Sequence, residues 1–95
     1  MNRKISHLEP NLIWSHFEDI CQVPRPSKKE EQIISYLLDF GKSHNLETQK
    51  DDIGNIIIRK TATKGFESKK SVVLQSHMDM VCEKNNETKH DFLKD

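Results

Sequence analysis

His77 and Asp79 are the residues of this 95-residue sequence whose types and spacing point most directly to chemistry. They follow an apolar run, and in open α/β sheets functional side chains collect beyond the carboxyl ends of the strands. In a strand-like continuation both side chains point to the same side, because side chains alternate along a strand. The imidazole could then bind zinc, with the carboxylate on its other ring nitrogen fixing the tautomer. A histidine at a strand end is also often only hydrogen-bonded to a loop, so the spacing alone leaves both interpretations open.

The remaining histidines and the cysteines show weaker patterns. His16 and His44 lie on predicted helices among polar neighbours, which favours solvated or capping roles. His90 lies in an irregular stretch and has no assignable role. Zinc would accept the thiolate of Cys82, but we expect a buried free thiol there, because cysteine is among the most buried residue types. Cys21 and Cys82 lie outside any C-x-x-C pattern.

Two helices and a hairpin are predicted to precede the His77 segment. Apolar residues recur at helical spacing in the first half of the chain, and Ser27 with Glu30 has the pattern of a capping box. Asn45 is a plausible left-handed helix terminator, and Gly54 is free to take a positive φ in a turn. The predicted helices lie near residues 9–22 and 27–44, and the predicted strands near 46–50, 55–60 and 71–76.

Residues 71–76 form a compact apolar run, as expected of a strand buried on both faces that ends at His77. Helix, helix, hairpin and buried strand are the opening of an α/β domain. Such a strand needs neighbours, and too few are encoded, so we expect a fold that is incomplete on its own. Hydrophobic residues make up 34% of the chain and charged residues 32%, which also predicts a thin core.

Charge and hydropathy exclude several classes of partner. Fifteen Lys and Arg balance fifteen Asp and Glu, whereas nucleic-acid binders usually carry a basic excess. No segment is long enough to cross a membrane, and the basic start has no apolar stretch after it, as a secretory signal would. We therefore expect a cytoplasmic chain with no nucleic-acid partner and no membrane partner.

Four segments, in order along nearly the whole chain, match motifs of a known family. They are I-C-x-[IV]-P-x-P-S at 20–27, D-x-x-G-N-I-x-I-R-K ending at Lys60, V-V-L-Q-x-H-x-D-M-V at 72–81, and K-N-N-x-T-x-H-D-F at 84–92. Together they resemble the bacterial aminoacyl-histidine dipeptidases, also called beta-alanyl-histidine or Xaa-His dipeptidases. These are two-zinc metallopeptidases within a larger group of exopeptidases and deacylases.

This resemblance implies roles for the two residues singled out above. His77 would ligate one zinc of a binuclear pair, and Asp79 would be the supporting carboxylate that is usually counted as an active-site residue. The complete enzyme would hydrolyse dipeptides such as beta-alanyl-histidine and form a homodimer. Residues 1–95 would be the amino-terminal portion of its zinc-exopeptidase catalytic domain. The rest of that domain and the lid and dimerisation domain would be absent.

The resemblance also predicts that the 95-residue chain alone is inactive. Family members supply a metal-bridging Asp, the general-base Glu and further ligands after this point, and none of these is present. A related tripeptidase, carboxypeptidase or deacylase is the near alternative, although the K-N-N…H-D-F tail favours the dipeptidase. An alternative from another class is a truncated, non-catalytic remnant that acts as a small interaction module.

Overall fold

The computed structural model describes residues 4–95, whose regular elements are two helices and one hairpin. Helices α1 (Asn11–Cys21) and α2 (Glu31–Ser43) precede strands β1 (Glu47–Lys50) and β2 (Ile56–Arg59). The predicted helices and the first two predicted strands are thus confirmed. Residues 1–3, which belong to the start interpreted as lacking a secretory signal, lie outside the described part. Within residues 4–95, no helix is both long enough and apolar enough to span a bilayer.

The chain divides into two compact units. Among the described residues, the first unit comprises residues 4–33 together with residues 79–95, and the second unit comprises residues 34–78. Within the first unit Ile33 is almost fully buried, and so is the carboxylate of Glu18 on α1. One oxygen of Glu18 accepts hydrogen bonds from the backbone N–H groups of Lys4 and Ile5. These bonds fasten the amino-terminal segment to α1 and give a buried charge its donors.

In the second unit, α2 ends in a left-handed residue, as predicted. Asn45 has a φ of 56°. Its N–H donates to the Lys42 carbonyl at 3.0 Å, and the N–H of Leu46 donates to the Gly41 carbonyl at 2.9 Å. This is a Schellman arrangement, which satisfies helix carbonyls that would otherwise lack donors. It also turns the chain directly into β1.

The hairpin is antiparallel, with Glu47 opposite Arg59 and Lys50 opposite Ile56. The Arg59 guanidinium lies 3.2 Å from the Glu47 carboxylate across the two strands. In the loop Gly54 has a φ of 98°, which confirms the predicted positive value. The hairpin is therefore specified by local sequence.

The predicted strand at 71–76 is not formed in the described structure. These residues form no strand in the described part of the chain, where β2 pairs only with β1. Val72, Val73 and Leu74 are 81%, 87% and 92% exposed. An open cleft of about 770 Å³ separates the run from β2 within the second unit. A strand forms only where a neighbour takes its backbone hydrogen bonds, and the described residues supply none here.

Candidate functional site

His77 lies at the end of the exposed run in the second unit, and its side chain is itself exposed. No regular structure holds residues 71–79. The side chains of His77 and Asp79 were expected on one side because side chains alternate along a strand. Since no strand forms here, that argument does not apply to this structure. What His77 offers is an accessible imidazole, which is a common ligand for zinc.

Asp79 lies in the first unit and is half-buried. Its Oδ2 atom accepts a hydrogen bond from the Ser27 hydroxyl at 2.6 Å, although the two residues are 52 positions apart. This length falls in the range of charge-assisted O–H···O⁻ bonds, which are about twice as strong as neutral ones. The Ser27 hydroxyl thus holds one oxygen of the Asp79 carboxylate.

Backbone pairing holds the two segments around this bond. Pro26 and Met80 form a parallel bridge. The N–H of Met80 donates to the Arg25 carbonyl at 2.8 Å, and the N–H of Ser27 donates to the Met80 carbonyl at 3.2 Å. The Arg25 guanidinium in turn donates to the carbonyl of Ile20, near the end of α1, at 2.6 Å. Asp79 is therefore tied through the 25–27 segment to α1.

The position of Ser27 corrects the capping-box prediction. Helix α2 begins at Glu31 rather than at Ser27, because Lys28 has a φ of 70° and interrupts the helical conformation. Glu30 does reach back, but it accepts the N–H of Lys28, at 2.9 Å. The Ser27 hydroxyl bonds to Asp79 instead of capping the helix. No local pattern could have indicated this role, since it depends on a residue 52 positions away.

The prediction that Cys82 is a buried thiol is also wrong. Both Cys82 and Cys21 are exposed, and they line an open cleft of about 260 Å³ in the first unit, together with His90. The first unit has too little apolar material to cover them. The ring of His90 packs edge-on against Phe92 at 4.9 Å, and its Nδ1 lies 3.9 Å from the Asp95 carboxylate.

His44 directly follows the last residue of α2. Its ring lies over that of Phe40 with centroids 4.2 Å apart, and its Nδ1 is 2.9 Å from the Phe40 carbonyl oxygen. A histidine near a helix C-terminus can bond the last carbonyls in this way. These contacts agree with the expected capping role.

The donor set fits one ligand position of a zinc site and not a complete site. Among the described residues, no group of three or more His, Cys, Asp and Glu side chains is arranged to hold a metal ion. A catalytic zinc normally has three protein ligands. Within this chain His77 is the placed candidate ligand, and Asp79 is a candidate for supporting it.

The chain resembles known dipeptidases over nearly its whole length. It is 48% identical over 92 residues to the cytosol non-specific dipeptidase of Escherichia coli (strain K12). That alignment covers 97% of this chain and 19% of the other protein. Its backbone matches the crystal structure of the aminoacylhistidine dipeptidase from Vibrio alginolyticus with a TM-score of 0.92 and 44% identity. That match covers 99% of this chain and 19% of the other. No protein-family model matches the chain.

The chain is therefore a homologue of bacterial dipeptidases, and the resemblance predicted from its motifs is confirmed. It spans about a fifth of the length of the relatives that it matches. The two helices and the hairpin are the regular elements of the backbone that matches the Vibrio alginolyticus structure.

Proposed function

We propose that this chain is part of a zinc-dependent dipeptidase of the cytoplasm and contributes one metal ligand and one supporting carboxylate to its active site. The observation that carries the proposal is homology over 97% of the chain to a dipeptidase, together with a backbone match at a TM-score of 0.92. The complete enzyme would contain the rest of the catalytic domain and a smaller lid and dimerisation domain. It would act as a homodimer on free dipeptides, with no nucleic-acid or membrane partner.

Each residue has a defined task in this proposal. The exposed imidazole of His77 binds one zinc of a pair, and the carboxylate of Asp79 orients that imidazole and raises its basicity as a ligand. Zinc, when bound, supplies a Lewis acid for the peptide carbonyl and for water. The remaining ligands and the general base come from outside residues 1–95.

The substrate class that we propose is Xaa-His dipeptides, such as beta-alanyl-histidine. The names of the two relatives differ on this point, since one is called non-specific and the other aminoacylhistidine dipeptidase. A panel of dipeptides with and without a carboxyl-terminal histidine therefore tests the preference directly. A tripeptidase or deacylase would instead cleave tripeptides or N-acyl amino acids faster than any dipeptide in the same panel.

The site assignment is tested with His77→Ala and Asp79→Asn in the native protein. His77→Ala should lose one zinc per active site and nearly all dipeptide hydrolysis, because a direct ligand disappears. Asp79→Asn should retain the fold and weaken zinc binding or turnover by about 10- to 100-fold, the usual cost of losing a partner of a ligand. Metal content by mass spectrometry and kcat with beta-alanyl-histidine are the measurements.

His44→Ala is the matched control, because its ring contacts only its own helix end in the bonds described above. It should keep both zinc content and turnover. Unchanged metal and activity in both His77→Ala and Asp79→Asn would reject the assignment. The 95-residue chain assayed alone should show no dipeptide hydrolysis, because loss of general-base catalysis by itself lowers the rate by a factor of about 10²–10⁴. Native protein that binds no zinc and cleaves no dipeptide would favour the non-catalytic interaction module.

A further inference from the structure

We infer that Ser27 is a positioning residue of the active site, which holds the carboxylate of Asp79 in its working orientation. This inference rests on the proposed function and adds a residue to it. The Ser27 hydroxyl donates to Asp79 Oδ2 at 2.6 Å. A carboxylate that orients a metal ligand must keep its plane and its direction, and a strong hydrogen bond to one oxygen restricts both.

The hydroxyl is shared between two acceptors, and the distances decide between them. Ser27 Oγ lies 2.6 Å from the Asp79 carboxylate and 3.4 Å from the Met80 carbonyl oxygen. A hydroxyl has one proton, and bonds to an ionised acceptor are both shorter and stronger than bonds to a neutral one. The proton of Ser27 therefore belongs to Asp79.

The backbone around Ser27 has its structural bonds independently of the hydroxyl. The N–H of Lys29 donates to the Pro26 carbonyl at 2.9 Å and closes the turn. The N–H of Ser27 and the carbonyl of Arg25 pair with Met80 on either side. Removal of the hydroxyl leaves all three bonds in place. What it removes is the hydrogen bond from Ser27 to the carboxylate of Asp79.

A purely structural role for the hydroxyl can be separated from positioning. Ser27 is exposed, so Ser27→Ala opens no cavity, and Ser27→Thr adds a methyl group that solvent can accommodate while keeping the donor. A structural role predicts lower thermal stability with unchanged zinc affinity. A positioning role predicts weaker zinc affinity with nearly unchanged thermal stability.

The test uses the native protein with Ser27→Ala, Ser27→Thr and the control Ser43→Ala. The control removes a second exposed hydroxyl, which bonds to the Phe40 carbonyl at the end of α2. Ser27→Ala should weaken zinc binding, measured by chelator competition, and lower kcat by about 3- to 10-fold each, below the usual cost of losing a direct partner of a ligand. KM and the melting temperature should change little. Ser27→Thr should restore zinc affinity and kcat to near the parent values, and Ser43→Ala should match the parent.

A double-mutant cycle assigns the effect to Asp79. In an Asp79→Ala background, Ser27→Ala should cause no further loss of zinc affinity, because its acceptor is gone. An equal loss in both backgrounds, failure of Ser27→Thr to rescue, or parental zinc affinity in Ser27→Ala would each overturn the inference while leaving the proposed dipeptidase intact. A parent protein that neither binds zinc nor cleaves dipeptides would overturn both.

Discussion

Val73 and Leu74 provide the most direct test of whether the native protein packs around this chain. They are 87% and 92% exposed in the structure. Because they are adjacent, their side chains point to opposite faces wherever the run becomes a strand. The proposed dipeptidase requires residues 71–76 to be a strand inside a larger sheet that is covered on both faces. Truncating each side chain therefore reports on a different face.

The expected magnitudes follow from these exposures. If both side chains stay exposed, Val73→Ala and Leu74→Ala each change the free energy of unfolding by less than about 0.5 kcal/mol. If the native protein buries them, Leu74→Ala costs about 2–5 kcal/mol, which includes the cavity that it leaves. Val73→Ala then loses most of the roughly 1.5–3 kcal/mol that burial of a valine contributes. We expect the larger losses at both positions.

The assay is urea unfolding of the native protein and its variants, followed by circular dichroism. Ile53→Ala is the matched control, because Ile53 is 86% exposed but lies in the hairpin loop, and it should stay within about 0.5 kcal/mol of the parent. A loss at only one of Val73 and Leu74 would mean a sheet that is covered on one face. Parental stability in both variants would refute the packing that the proposed function requires.

Two further predictions concern the loops. Gly54→Ala should lower the free energy of unfolding by about 1–2 kcal/mol, the cost of a left-handed L-residue, because φ is 98° and the added Cβ would lie 3.0 Å from Ile34 Cδ1. Gly65→Ala, with a φ of 93° and no neighbour within 4 Å, should cost less in the same denaturation assay, and equal losses would rule out the contact with Ile34. Hydrogen bonds from the Asn55 side chain and backbone lower the pKa of Asp51 from its ordinary 3.8. The ionised carboxylate therefore stabilises the loop above pH 3.8, and this stabilisation is lost as the pH falls through the lower folded-state pKa. Hydrogen exchange of the loop amides should therefore distinguish the parent from Asp51→Asn above that range and not below it, and identical exchange at all pH values would contradict this account.

The elements that were predicted correctly are those whose signals are local. Helix α2 ends where Asn45 can take a positive φ, and the hairpin turns where Gly54 can do the same. Each of these features depends on bonds between residues a few positions apart, such as Leu46 to Gly41 and Asn55 to Asp51. A local pattern is sufficient when its partners are local.

The predictions that the described structure does not bear out depend on distant partners. Ser27 has the sequence pattern of a helix cap, yet its hydroxyl bonds to Asp79, and α2 starts later. The apolar run at 71–76 has strand composition, but a strand also needs a hydrogen-bonded neighbour. Cys82 was expected to be buried because cysteines usually are, but burial requires surrounding apolar mass, and this unit has little.

The same distinction determines what supports Asp79 as a site residue. Its expected alignment with His77 assumed a strand that continues through residue 79, and that strand is absent from the described structure. Its present support is homology together with the 2.6 Å bond to Ser27. That bond lies within one compact unit and is reinforced by the bridge between Pro26 and Met80. The carboxylate is therefore held by a bond within this chain, whereas His77 lies in a stretch, residues 71–78, that forms no regular element in the described structure.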